Sequence, residues 1–414
     1  MIERHDTVIV GGGQAGLATG YYLQRHDQDF VILDASDRVG DAWRARWDSL
    51  RVFTPARYSS LPGMDYPGSP HAFPTKDEVA DYLEAYARRF DLPVELGVRV
   101  DGLERSGDGF LITAGDRRIE VDNVVVAMAS YQVPTVPDFA AELSDDVVQL
   151  HASDYRNPDQ LQDGDVLVVG AGNSGAEVAL DVAGASRRLQ AGRGASRPVH
   201  GASGAVSQKS RRDLAVADEH ETWLSGRDVG HVPFHIDSWI GRHLGVPFVM
   251  RVLFHRIFTT GTPIGRRIRP KVLSRGGPLV RTKPSDLAAA GVERVPRTTG
   301  VRDGRPVVEG DDVLDAENVI WCTGFRPDFS WIDLPIFDGK EQPKEPIHVR
   351  GVVPDEPGLY FVGLFFLYAM TSGLFTGVGR DAEYVVDHLT STARQQQPRS
   401  SQTGSWMDSS SSRR

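Results

Sequence analysis

Two glycine clusters in this chain have the spacing that cradles a phosphate. Gly11, Gly13 and Gly16 lie in "VIVGGGQAGLATG", and Gly170, Gly172 and Gly175 in "VVGAGNSGAEVAL". Each cluster follows an apolar run and precedes a helix-forming one. In such a strand–turn–helix unit the first glycine allows the tight turn and the second lets backbone approach a pyrophosphate. The third lets helix and strand pack closely. The helix N-terminus then points free N–H groups and a partial positive charge at the phosphates. What lies beyond each helix separates the two clusters. Asp34 ends the next strand, "FVILD", 23 residues after Gly11. A carboxylate there accepts hydrogen bonds from ribose hydroxyls and repels a 2′-phosphate. The same offset from Gly170 falls on Arg193, in "LQAGR", whereas a better strand, "TWLSGR", ends at Arg227. An arginine there favours the 2′-phosphate of NADPH, or is simply a solvated surface residue. The strand signal favours Arg227 and makes 184–219, rich in Gly, Ala, Ser and Arg, a flexible insertion. The economical pair of cofactors is FAD in the first site and NADPH in the second.

These loops need two βαβ frames to position them. The expected fold is therefore α/β, with two Rossmann-like dinucleotide-binding domains, the NADP domain inserted in the FAD domain. Residues 1–157 form the first part of the FAD domain, 158–311 the NADP domain and 312–393 the second part of the FAD domain; 394–414 is a disordered tail. The chain's 414 residues suit such a division. A net charge of −10 leaves no whole-protein basic field for nucleic acid. The single cysteine, Cys322, excludes an intramolecular disulfide, a Cys-x-x-Cys redox pair, a Cys-rich zinc site and an iron–sulfur cluster, and no metal site is expected. Its apolar surroundings make Cys322 a core residue. A strand starts within about seven residues of Met1, which leaves no room for a leader and reads as a cytoplasmic protein. Residues 358–379 carry no charge and are long enough to span a bilayer, but their five glycines read as strand, loop and helix, so no transmembrane segment is expected. The run "DSWIGRHLGVPFVMRVLFHRIF" is apolar and helical with basic punctuation. It is a membrane-surface helix or, preferably, a segment packed within the second domain or at a homodimer contact.

Five blocks together resemble the class B flavoprotein monooxygenases: the flavin-containing monooxygenases and their bacterial relatives, near the Baeyer–Villiger enzymes. They are "GGGQAG", "GDAWRARWDSLRVFTP", "GAGNSGAE", "WCTGFRPDF" and "PGLYFVGL…TSGLFTGVGRDAEYV", in the family's order. The block "SGRDVGHVPF" resembles bacterial relatives and supports Arg227. The resemblance implies that Gly11, Gly13, Gly16 and Asp34 bind the ADP half of FAD. Trp43 and Arg44 border the flavin, and Thr54 and Pro55 reach toward the isoalloxazine. Thr323 and Gly324 match the family's second FAD-domain signature. Gly363 precedes the loop that approaches the flavin, and Thr371 and Ser372 begin the helix region after it. Asn173, with Ser174 inside the second fingerprint, faces NADP.

The implied reaction is an NADPH- and O2-dependent monooxygenation of a small to mid-sized, mostly apolar organic substrate. It runs through a flavin C4a-(hydro)peroxide, as N- or S-oxygenation or in Baeyer–Villiger fashion. Candidate catalytic residues are Asp48 and Arg57, in the loops facing the site, and His151. Each has a bland alternative: surface pairing for Asp48 and Arg57, a loop backbone bond for His151. Two departures stand out. The family's linker motif keeps only His151 and Tyr155, with Asp145 and Val147 where it has Phe and Gly. The first crossover reads Ala127-Met128-Ala129 in place of Ala-Thr-Gly. An NAD(P)H-dependent flavin reductase or oxidase, and a non-enzymatic FAD/NADPH sensor, remain the alternatives.

Overall fold

The computed structural model describes residues 2–184, 221–232, 234, 236, 238–275, 277–337 and 345–396. Two larger sheets, the first mixed and the second wholly parallel, organise them. In the first, β1 (Ile2–Val10), β2 (Phe30–Leu33) and β3 (Val94–Glu95) run parallel. The other edge of β1 takes β6 (Arg117–Val126). The C-terminal half of β6 pairs in parallel with β17 (Leu359–Phe361). Its N-terminal half turns into an antiparallel arm of β5 (Gly109–Ala114) and β4 (Gly102–Ser106), to which β16 (Ile332–Asp333) adds. The last four residues of β1 and all of β2 are buried, as strands covered on both faces must be.

Helices cover that sheet because their apolar stripes have nowhere else to go. α1 (Gln14–Arg25) buries Leu17, Ala18 and Leu23 and packs on α7 (Phe375–Gln396). Short α2 (Asp41–Arg44) lies against α3 (Lys76–Arg89), which starts at a Thr75–Glu78 capping box and buries Val79, Leu83 and Tyr86.

The second sheet is wholly parallel, in the order β11 (Val292–Val295), β10 (Thr222–Ser225), β9 (Val166–Val169), β14 (Asn318–Trp321), β8 (Val148–His151). α4 (Asn173–Val182) follows β9, and α6 (Pro284–Ala289) leads into β11. The hairpin of β12 (Thr298–Arg302) and β13 (Arg305–Val308) follows. The chain crosses between the sheets twice, through β7 (Val133–Pro134) and β15 (Phe325–Arg326), and these two crossings pair with each other. Limits expected at 157/158 and 311/312 fall inside this unit, because β8 and β14 are both strands of its sheet. The expected insertion 184–219 lies outside the described residues except for Gly184. The expected tail 394–414 lies outside them beyond Gln396, up to which α7 continues.

The apolar run winds helically over 239–257, in wide π-type turns at Gly241–Gly245 and Phe248–Ile257 around Pro247, which lacks an N–H donor. Its inner face, Val246, Met250 and Phe254, packs on Val232, Phe234, Ile236 and Val280 from between β10 and β11 and on Tyr58, Phe73 and Leu374 of the first-sheet unit. The expected packing within the second domain thus accounts for part of its burial, and the remainder reaches across to the first-sheet unit. The chain then pairs with the loop before α7 through Thr260 N–H to Tyr368 C=O, 2.7 Å, and Met370 N–H to Phe258 C=O, 3.1 Å, and continues as α5 (Pro263–Arg275). Residues 358–379 form β17, a tight loop and the start of α7. Among the described residues no helix is long and apolar enough to cross a membrane.

Candidate functional site

The two fingerprints fold into the same device. Gly11 and Gly170 adopt φ of +110° and +111°, open to glycine and strained for other residues. Gly13 and Gly172 cap α1 and α4 with φ, ψ of −78°, −170° and −77°, −171°. A Cβ on Gly16 or Gly175 would overlap the carbonyl oxygen of Gly11 or Gly170, whereas one on Gly13 or Gly172 would meet nothing within 4 Å. Neither helix has a side-chain cap or an acidic residue in its first turn. Two helix N-termini therefore present free N–H groups beside glycines whose side-chain space is empty, which fits a dinucleotide pyrophosphate at each.

The crossovers repeat too. Gly11 lies against the Ala127 carbonyl and Gly170 against that of Cys322. Two residues on, Ala129 and Gly324 both take left-handed backbone, φ +60° and +86°. Thr323 Oγ1 donates to the Thr135 carbonyl, and Thr135 N–H donates to that of Gly324 at 2.9 Å, so the two crossings brace each other. Burial pushes the Cys322 thiol up to about 12; the residue is half-buried and packs against the core of the second unit.

Asp34 sits one residue past β2. Its Oδ2 accepts the Gly12 N–H at 2.5 Å and its Oδ1 the Ser36 N–H at 2.7 Å, so the carboxylate is aimed at the first cradle with lone pairs to spare. Arg227 is exposed two residues past β10, next to Gly226, whose Cβ would lie 2.8 Å from Ala171 N in the second fingerprint. Arg294, which the sequence reading missed, donates to the Gly226 carbonyl at 2.9 Å. Its signal was the end of β11, the next strand of that sheet. Arg193 lies outside the described residues.

Other candidates have definite neighbours. The Trp43 indole N–H donates to Gln14 Oε1 at 3.3 Å, and Gln14 Nε2 reaches the Gly373 carbonyl at 3.4 Å. Gln14, inside the first fingerprint, thus ties α1 to α2 and to the loop before α7. Arg44 instead turns toward α3, pairing with Asp81 at 2.9 Å and Glu84 at 3.1 Å. Asn173 spends both ends of its amide on Pro278 C=O and Val280 N–H, at 3.1 and 3.0 Å, and Ser174 is exposed on the first turn of α4. Thr54 is buried against Ser59 and, with Pro55, Phe73, Met250 and Phe254, lines an apolar cavity of about 30 Å3. Gly363, φ +83°, lets its loop pass α1, where a Cβ would lie 2.7 Å from that of Ala15. Thr371 and Ser372 are fully buried; Ser372 Oγ accepts the N–H groups of Tyr368 and Ala369. Thr371 Oγ1 lies 3.1 Å from Nδ1 of His255, also missed by the sequence reading, whose ring burial and the Arg380 cation hold down to about 4.

Asp48 and Arg57 are exposed. Asp48 accepts from Asn157 Nδ2 at 2.7 Å and lies 3.8 Å from the Lys76 ammonium; Arg57 lies over the Tyr58 ring. His151 is buried at the end of β8. Its Nδ1 accepts the Ser153 N–H at 3.1 Å, so Nε2 carries the proton and donates to the Gly324 carbonyl at 3.0 Å. Burial lowers its pKa, and the neutral ring pins the second crossover.

Known proteins resemble this chain in sequence and in fold. Residues 8–212 match the family described as pyridine nucleotide-disulphide oxidoreductase. The chain is 36% identical over 387 residues to a CzcO-like oxidoreductase of Geobacillus kaustophilus (strain HTA426), covering 93% of this chain and 98% of that one. It is 36% identical over 187 residues, 42% of its length and 44% of the other's, to the probable indole-3-pyruvate monooxygenase YUCCA9 of Arabidopsis thaliana. Its fold matches the flavin-containing monooxygenase from Stenotrophomonas maltophilia with a TM-score of 0.67 at 24% identity, over 94% of this chain and 99% of that one. With two matched dinucleotide cradles, one cysteine and a full-length relative at this identity, the chain belongs to the CzcO-like oxidoreductases and has the two-dinucleotide fold of the flavin-containing monooxygenases.

Proposed function

We propose that the protein is an NADPH- and O2-dependent flavoprotein monooxygenase that adds one oxygen atom to an apolar organic molecule. The observation that carries this reading is the duplicated glycine turn at a helix N-terminus, with the Asp34 carboxylate beyond the first copy and Arg227 and Arg294 beyond the second. In the reading, Gly11, Gly13 and Gly16 receive the FAD pyrophosphate and Asp34 its adenosine ribose. Gly170, Gly172 and Gly175 receive that of NADPH, and Arg227 with Arg294 takes the 2′-phosphate. Bound flavin supplies the hydride acceptor and the oxygen-activating chemistry. The chain supplies position and dryness. Gln14 and Trp43 hold the loops at the first cradle. Thr54, Pro55 and the helical run at 239–257 pack into an apolar lining that excludes water. Neutral His151 holds the Gly324 turn and donates no proton to chemistry.

The test is anaerobic reduction by NADPH and by NADH, followed by 18O2 with a thioether, a tertiary amine and a ketone as probes. The reading expects faster reduction by NADPH, less than one peroxide per NADPH with at least one probe, and label in that product. One peroxide per NADPH with every probe would assign the protein to the reductases or oxidases. That outcome would locate the difference at Asp145 and Val147 in the altered linker.

A further inference from the structure

Charge is unevenly distributed in this chain. Residues 238–285 hold ten Lys or Arg and no Asp or Glu, in a protein of net charge −10. The same stretch carries exposed apolar side chains: Trp239 is 69% exposed, Ile240 62%, Leu244 61% and Phe248 57%. Ile240, Leu244 and Phe248 recur every four residues along the helical run, opposite the inner face of Val246, Met250 and Phe254. Arg251, Arg256, Arg266 and Arg267 are exposed around them, and Ile264, at the start of α5, is 54% exposed. One helix is thus apolar on two sides, and only one side meets protein among the described residues.

We infer that this face docks on an anionic lipid surface. Trp239, Ile240, Leu244 and Phe248 enter the boundary between headgroups and acyl chains, while the arginines contact lipid phosphates. Charge decides among the occupants. A second copy would set basic face against basic face in a two-fold contact. The segment 185–220 carries seven Lys or Arg against three Asp or Glu, so its charge does not complement the patch either. Nucleic acid has no use for an apolar stripe of this length. Attachment is peripheral, since no described helix can span a bilayer. The inference rests on the surface alone and stands whether or not the proposed reaction is correct.

The experiment is co-sedimentation of the full chain with vesicles of equal parts phosphatidylglycerol and phosphatidylcholine, and with phosphatidylcholine alone. We expect binding to the anionic vesicles that high salt weakens, and little to the neutral ones. Leu244→Glu/Phe248→Glu should weaken it on the order of ten-fold or more, because each substitution puts a charge at the apolar boundary. Arg256→Glu/Arg267→Glu should weaken it too, with an unchanged melting temperature as the control for folding in both variants. Absent binding to anionic vesicles, or equal binding by the Leu244/Phe248 variant, overturns the inference. So does a concentration-dependent dimer that this variant abolishes without vesicle binding, which would give the patch to a second copy.

Discussion

Ala129 holds left-handed backbone at φ +60°, in the crossover place that Gly324 fills in the second unit at φ +86°. An L-residue with a Cβ is strained there by about 1 kcal/mol relative to glycine. Ala129→Gly should therefore raise the melting temperature, whereas a fall would mean that the Ala129 methyl packs better than its backbone suffers. Two histidines set a pH dependence. His151 is held neutral by burial, with Nδ1 accepting a backbone N–H; His255 is held down to about 4 by burial and by Arg380 and Arg256. Both depressed values mean that the unfolded chain binds protons before the folded one does. Their contribution is thus full above an unfolded pKa of about 6.5 and is lost as pH falls below it. Thermal melts should fall between neutral pH and about pH 5, and His255→Gln should flatten that slope. An unchanged slope would remove His255 from the account. The roles of Arg44 and Asn173 were not readable from sequence. Which carboxylates Arg44 meets on α3, and that Asn173 spends its amide on Pro278 and Val280, depend on residues far away in the chain.

Each strand–turn–helix element was legible because its geometry is written in residue type. A turn at φ near +110° needs glycine, and a helix touching its own strand needs another. The three glycines of a cradle are accordingly not equivalent. Gly16→Ala or Gly175→Ala drives a methyl into a carbonyl oxygen and should cost a few kcal/mol, seen as a large drop in melting temperature or loss of folded protein. A Gly16→Ala protein that melts like the parent would show that α1 can back away from β1. The helical run at 239–257 was legible as a helix but not as a bridge. Its periodicity says that it has an apolar inner face; only the tertiary structure says that this face meets Tyr58, Phe73 and Leu374. β8 and β14 were assigned across the unit boundary because a four-residue buried strand carries no mark of which sheet receives it.

At the scale of the molecule, two copies of one strand–turn–helix device are joined by two braced crossings and one bridging helix. The central claim is that the copies hold different dinucleotides: a flavin cofactor in the first and the reducing nicotinamide in the second. Gly13 and Gly172 test it most directly. Both have ordinary φ and open space for a methyl, so alanine at either leaves the fold intact and intrudes only on a ligand. The measurement is flavin content and the rate of anaerobic reduction by NADPH in purified Gly13→Ala and Gly172→Ala proteins. The account predicts that Gly13→Ala folds but loses its flavin. It predicts that Gly172→Ala keeps its flavin and needs on the order of ten-fold more NADPH for the same reduction rate. Flavin loss from Gly172→Ala, or normal flavin content in Gly13→Ala, would contradict it.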